Sequence, residues 1–263
     1  MSRKLISAPI LTLLLGALIL SSCDEFFSSS WGSPRDYDPS KIKLSASNLD
    51  SWLDAAVGNP ELADALTEKI KKELNSGALN PADKVKFQTA GVKLAVEASG
   101  LGTSILTNAS SALSSIDNED EGAVKGLLSD VQNSFKSNNG AKAAADIAEM
   151  VGGGLSSNDG ATPEFDAAYA AAVTPSDAAQ AVLVLALAVV DANFAEVELD
   201  EYDDLDIGLT VDEGAVKIET DNGGTPSDEA VALAAYLNLI AQDTTGKFEN
   251  NPVTKAIKEA FGL

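Results

Sequence analysis

Acidic side chains account for most of the residues in this chain that could take part in chemistry. The 263 residues include 40 Asp and Glu, 18 Lys and Arg, one Cys and no His. The lack of histidine excludes Ser-His-Asp and Cys-His catalysis, histidine general bases and histidine metal sites. Pairs of carboxylates could serve a hydrolase, but so many acids produce pairs by chance. We therefore predict that the protein is not an enzyme and has no catalytic residue and no cofactor, with a carboxylate-dependent hydrolase as the less favoured alternative.

Two acidic segments have the oxygen-rich composition of a calcium site. Residues 117–122 carry alternating oxygen side chains and a glycine at the sixth position, but the twelfth position is Leu128 rather than the bidentate Glu of an EF-hand loop. The second segment extends from Glu196 to Asp206 and matches no known loop. Its candidate calcium ligands are Asp200, Asp203, Asp204 and Asp206. We interpret the first segment as the acid-rich start of a helix and the second as a solvated acidic loop, and we predict no metal site.

The single cysteine, Cys23, follows a segment with the composition of an export signal. Arg3 and Lys4 precede a mostly apolar run over residues 5–20, which is too short for a settled membrane-spanning helix. The run ends in Leu20-Ser21-Ser22-Cys23. This pattern resembles the lipobox of bacterial lipoproteins. Two alternatives remain: an ordinary secretory signal with an incidental Cys, or an N-terminal transmembrane anchor.

The resemblance to lipoproteins implies a location and a covalent lipid. In that family the cysteine thiol receives the lipid and the preceding peptide is removed, so residues 1–22 would be the signal peptide and Cys23 the first mature residue. We expect a palmitate-type anchor in a bacterial cell membrane or outer membrane, facing the periplasm or the exterior. Residues 23–44 are rich in Ser and Pro without hydrophobic periodicity, which predicts a flexible tether.

The net charge limits the possible partners. Removing Arg3 and Lys4 with the signal leaves 18 − 2 = 16 basic residues against 40 acidic ones, a net charge of −24. So acidic a chain lacks the basic face that nucleic-acid binding requires. The partners we expect are the membrane, through the lipid, and another envelope protein.

Prolines mark the expected helix starts. Outside the first 44 residues, every proline follows an Asn or a Thr, a combination that suits the N-cap and the first helical position. The six predicted starts are Asn59-Pro60, Asn80-Pro81, Thr162-Pro163, Thr174-Pro175, Thr225-Pro226 and Asn251-Pro252. Behind most of them, apolar residues recur at helical spacing, as in Leu62, Leu66, Ile70 and Leu74.

Two segments depart from the amphipathic pattern. Residues 181–190 are ten consecutive apolar residues, which predicts a central helix buried on all sides. Residues 207–211 and 215–219 alternate around Asp212-Glu213-Gly214, which predicts a small acidic β-hairpin near 206–220.

The sequence as a whole predicts an all-α fold with this hairpin as an insertion. We expect an irregular helical bundle, or a degenerate array of helical hairpins, of roughly 9–11 helices. The helical domain would cover residues 45–263, with 45–151 and 162–263 as possible halves. We predict a non-catalytic scaffold or adaptor that binds another envelope protein, and the alternative is a carrier of lipids or small apolar ligands.

Overall fold

A computed structural model shows a mostly helical protein with one two-stranded sheet. The structure describes residues 38, 41–100, 133, 135–137, 139–152, 155–193, 209–219 and 225–263. The helices are α1 (Leu49–Ala56), α2 (Pro60–Asn75), α3 (Pro81–Ala98), α4 (Gly140–Val151), α5 (Ala167–Ala172), α6 (Pro175–Asn193), α7 (Asp228–Ala241) and α8 (Pro252–Phe261). The strands are β1 (Leu209–Asp212) and β2 (Ala215–Ile218). The predicted combination of helices and a small hairpin is confirmed at this level.

Four of the six predicted helix starts are confirmed. Asn59, Asn80 and Asn251 accept hydrogen bonds from backbone N–H groups in the first turns of α2, α3 and α8. Thr174 accepts one from the Asp177 N–H at 3.2 Å, and the Asp177 carboxylate accepts one from the Thr174 N–H at 3.3 Å. This reciprocal pair at the start of α6 satisfies backbone donors that the helix itself cannot.

The other two predicted starts are wrong. Helix α5 begins only at Ala167, capped by Asp166, and α7 begins at Asp228, capped by Ser227. Both caps have extended backbone and a side-chain oxygen that accepts the N–H three residues on. At the first of these sites the Pro163 carbonyl accepts a hydrogen bond from the Asn238 side chain. Helix α5 therefore starts only at the next residue that can cap it, Asp166.

The helices pack around α6. Every residue from Ala181 to Val189 is buried, which confirms the predicted all-round burial over that range. Helix α6 contacts α3, α4, α7 and α8, so the core includes residues from both of the possible halves. Among the residues that the structure describes, no helix combines the length and hydrophobicity needed to cross a membrane.

A glycine permits the close packing of α3 on α4. A Cβ added at Gly91 would lie 2.2 Å from the Met150 sulfur and 2.9 Å from an Ile70 methyl group. Real Cβ atoms essentially never approach so closely, so a larger residue here would require the Met150 and Ile70 side chains to shift, whereas glycine lets α2, α3 and α4 meet as they do. Residues 60–98 and 140–151 are thereby held in the arrangement that brings their polar side chains together.

The hairpin is tightly turned and docked on the helices. Leu209 pairs with Ile218 and Asp212 with Ala215, so the turn has two residues, Glu213 and Gly214. Both have positive φ, 51° and 80°, as a type I′ turn requires. The other edge of β2 is extended by the loop before α5, because the Ile218 N–H donates to the Ala161 carbonyl and the Gly160 N–H to the Ile218 carbonyl.

Candidate functional site

Within the part of the chain that the structure describes, the largest cluster of ion-paired side chains lies between α2 and α4. We call it the α2–α4 ion-pair network; its members are Asp64, Glu68, Lys71, Lys142, Asp146 and Glu149. The Lys142 ammonium group lies 2.6 Å from Asp64, 2.8 Å from Glu68 and 2.8 Å from Asp146. It therefore joins a carboxylate of its own helix to two carboxylates of α2.

Asp146 is the buried centre of the network. Its side chain is only 5% exposed, and its second oxygen accepts a hydrogen bond from Lys71 at 2.6 Å. Lys71 also contacts Glu149 at 2.7 Å. A buried carboxylate is costly unless it is paired, and here two lysines from two helices pair it. The network thus fixes the register of α4 against α2.

The charges of the network stabilise one another. Partial burial alone would lower the pKa of Lys142, but hydrogen bonds to Asp146, Asp64 and Glu68 outweigh it and raise this pKa above its ordinary value. The Lys142 hydrogen bond in turn lowers the pKa of Glu68. The Lys71 hydrogen bond lowers that of Glu149 in the same way. Lys142, Glu68 and Glu149 are therefore held in their charged forms at neutral pH.

Three of the carboxylates have the spacing of a metal site. Oxygens of Asp64, Glu68 and Asp146 all lie within 4.8 Å of one another. However, the Lys142 ammonium group already lies within hydrogen-bonding distance of all three. A lysine and a metal ion compete for the same oxygens, so the donor set fits an internal ammonium group better than an added ion. This arrangement performs a structural task and leaves no free base or nucleophile.

Sequence reasoning missed this network, although one signal was present. Asp146 interrupts an apolar stripe that includes Ala143, Ile147 and Ala148, and its position predicts burial for an acidic side chain. Such a residue requires a basic partner. Lys142, four residues earlier, could be identified as one partner, but the cross-helix partner Lys71 is 75 residues away.

A second polar site attaches the hairpin to the helical body. Asn238 of α7 is 2% exposed. Its side-chain oxygen accepts from the Val216 N–H at 2.7 Å, and its amide donates to the Val216 and Pro163 carbonyls at 2.8 and 3.0 Å. One side chain thereby satisfies three buried backbone groups in two segments, which fixes β2 and the loop before α5 on α7.

A buried pair of tyrosines lies between α5 and α7. The hydroxyl oxygens of Tyr169 and Tyr236 are 2.5 Å apart, and the Phe165 ring packs against both tyrosine rings. Burial raises the pKa of both phenols. Each hydroxyl is the partner of the other, so both remain neutral and the pair joins α5 to α7.

The site residues predicted from the sequence are not among these clusters. Cys23, residues 117–122 and the four aspartates Asp200, Asp203, Asp204 and Asp206 lie outside the described residues. The structure therefore leaves the lipidation and calcium predictions as predictions. The clusters that it does show join helices to one another or attach the hairpin to them.

No protein-family model, curated protein or solved structure matches this chain.

Proposed function

We propose that this chain is a lipid-anchored, non-catalytic protein of the bacterial cell envelope that serves as a protein-binding scaffold or adaptor. The observation that carries the proposal is Cys23, the only cysteine, at the end of a charged and then apolar N-terminus that resembles a lipobox. The lipid would hold the protein on a cell membrane or outer membrane, facing the periplasm or the exterior. Two or more acyl chains are needed for a stable anchor.

The side-chain chemistry of the helical body supports a role without catalysis. Among the described residues, the clustered carboxylates of Asp64, Glu68 and Asp146 all accept hydrogen bonds from Lys142. Hydrogen bonds to lysines lower the pKa of Glu68 and of Glu149, which makes each of these two a poor general acid. The buried tyrosines and Asn238 are used to hold elements together. We further propose that the complete helical domain is an irregular bundle or hairpin array of roughly 9–11 helices.

Metabolic labelling tests the anchor. Cells that produce the full-length protein or its Cys23→Ser variant are grown with radioactive palmitate, and the protein is recovered by a C-terminal tag. We expect label and membrane association in the wild type and no label in the variant. Labelled Cys23→Ser protein, or an unlabelled wild type, would refute the proposed anchor.

Crosslinking in intact cells tests the adaptor role. The tagged, lipidated protein is crosslinked in its native host, purified and analysed by mass spectrometry, with a different domain on the same lipidated N-terminus as the control. We expect one envelope protein that the control does not enrich. If both samples contain only the same abundant membrane proteins, the adaptor role is rejected, and extraction for bound lipid would then test the carrier alternative.

A further inference from the structure

The start of α4 differs from the starts of α2, α3 and α8, which asparagine also caps. Asn139, the N-cap residue of α4, has a left-handed backbone conformation, with φ 57° and ψ 35°, and its side chain makes no capping hydrogen bond. The side chain is exposed, and no described residue bonds to it. A left-handed conformation is unfavourable for a residue that has a Cβ, although asparagine tolerates it better than most.

The residue after Asn139 is a glycine with an unbonded amide. A Cβ added to Gly140 would lie 2.2 Å from the Phe135 ring, so a larger residue would require that ring to shift. The Gly140 N–H is the first of α4, and no carbonyl of the helix can accept it. A backbone nitrogen that carries a proton and is not hindered by a side chain of its own therefore follows an unbonded asparagine side chain.

We propose that Asn139-Gly140 is a site of spontaneous deamidation. The Gly140 nitrogen attacks the side-chain carbonyl carbon of Asn139, and a new C–N bond closes a cyclic imide. The bond from that carbon to the side-chain nitrogen breaks, and this nitrogen leaves as ammonia with the proton that Gly140 gives up. Water then opens the imide at either carbonyl, which leaves aspartate or isoaspartate at position 139.

Ring closure requires only a local opening of the fold. The Gly140 nitrogen reaches the Asn139 side chain after rotation about ψ of Asn139, which breaks the 3.0 Å hydrogen bond from the Ala143 N–H to the Asn139 carbonyl. No side-chain cap reinforces that bond, and the left-handed conformation that is lost is itself unfavourable. Helix ends fray readily, so this opening is the least costly kind in a folded chain.

Three other asparagine caps cannot react in this way. The side-chain oxygens of Asn59, Asn80 and Asn251 accept hydrogen bonds from backbone N–H groups of the first helical turns. Each of the three precedes a proline, whose nitrogen has no proton to give up.

The modification would reach the α2–α4 ion-pair network. Isoaspartate adds a methylene group to the main chain and so changes the first turn of α4, which carries Lys142. Lys142 lies 2.6 Å from Asp64 and 2.8 Å from Glu68 of α2. We therefore expect aged protein to have a lower melting temperature than fresh protein.

Peptide mass spectrometry of aged protein tests the site. The tagged full-length protein is incubated at pH 7.5, folded or in denaturant, and then cleaved after Lys136 and Lys142, which releases residues 137–142. Fragment ions distinguish Asn139 from Asn138, and chromatography separates the aspartate product from the isoaspartate product. We expect both products at position 139, at a folded rate within about tenfold of the denatured rate, as for an end that opens at little cost. A folded rate that is slower than this overturns the proposal, because the start of α4 would then protect Asn139.

An internal control shows whether local geometry selects the site. Asp159-Gly160 can close the same imide with loss of water, but the Gly160 N–H donates to the Ile218 carbonyl at 2.7 Å. Folding should therefore slow isoaspartate formation at Asp159 at least tenfold more than deamidation at Asn139, each relative to its own denatured rate. Equal slowing at the two sites overturns the assignment.

Asn139→Gln is the matched variant, because its longer side chain closes a ring far more slowly. Aged Asn139→Gln protein should contain neither product and should keep the melting temperature of the fresh variant. Products in residues 137–142 of this variant would come from Asn138 and overturn the proposal. An equal loss of melting temperature in the aged variant and the aged wild type would refute the effect on α4.

Discussion

Replacement of Asn238 should detach the hairpin from the helical body and strongly destabilise the protein. Asn238→Ala removes three buried hydrogen bonds and leaves the Val216 N–H and the Val216 and Pro163 carbonyls without partners. A buried polar group without a partner costs about 1–3 kcal/mol. Since several groups are affected at once, we expect the free energy of unfolding to fall by about 3–5 kcal/mol. For a chain of this size the melting temperature would drop on the order of 10 °C.

Asn238→Asp gives a sharper test because it keeps the shape of the side chain. A carboxylate can still accept from the Val216 N–H, but it faces two carbonyl oxygens to which the amide donated. Repulsion and burial should raise the pKa of the new carboxyl group. The folded state then binds its proton more tightly than the unfolded state, so stability is highest at low pH and falls as pH rises through the raised pKa.

Thermal unfolding at pH 4.5 and pH 7.5 measures both effects on residues 24–263. Asn250→Asp, at an exposed position in the loop before α8, is the control and should change little. We expect the deficit of Asn238→Asp relative to wild type to be clearly larger at pH 7.5. An equal deficit at both pH values, or a loss below about 1 kcal/mol for Asn238→Ala, would refute the assigned role, because real orphan groups cost more.

Three further substitutions test the helical body. Glu97→Gln keeps an acceptor for the Gly58 N–H. Burial raises the pKa of Glu97, so its charged form costs stability at high pH. The variant should therefore be more stable than wild type at pH 8 and similar to it at pH 4. Lys142→Met should cost about 1–3 kcal/mol at pH 7, because it leaves facing carboxylates without their shared cation. Tyr169→Phe should lower the free energy of unfolding by about 1–3 kcal/mol, because it leaves the buried Tyr236 hydroxyl without a partner. The double variant with Tyr236→Phe should cost less than the sum of the two single changes, because it leaves no buried hydroxyl without a partner.

Each of these substitutions has an outcome that contradicts its reasoning. A Glu97→Gln effect independent of pH would show that charge at this position is not the cause. The cost of Lys142→Met should shrink as pH falls below the ordinary Glu pKa of 4.5. The stability that Glu68 contributes through its lowered pKa is fully present above this value and is lost as pH falls through the lowered pKa. Lys84→Met, at an exposed position on α3, is its control. Additive costs for the two tyrosines would mean that their hydroxyls are not coupled.

Much of the secondary structure could be predicted from local chemistry. The starts at Asn59, Asn80, Thr174 and Asn251 depend on a side chain and the backbone amides two or three residues on, so they can be identified in a short window. The hairpin is equally local, because a turn with two positive φ angles favours glycine at Gly214.

The two wrong helix starts show the limit of this reasoning. Asp166 and Ser227 also lie close to the predicted starts, and local chemistry alone does not rank them above Thr162 and Thr225. At Pro163 the backbone carbonyl bonds to Asn238, and that contact exists only after α7 has packed nearby.

The sequence by itself determined where four of the eight described helices begin, which helix is central and where the hairpin turns, because these depend on short-range hydrogen bonds and hydrophobic periodicity. It also carries the proposed export signal and lipobox that end at Cys23, because such a signal is a linear pattern of residue types. Only the tertiary structure decided that Lys71 pairs with Asp146 and which backbone groups Asn238 satisfies. Those partners lie 22 to 75 residues apart, and their pairing follows from how helices pack rather than from any local preference.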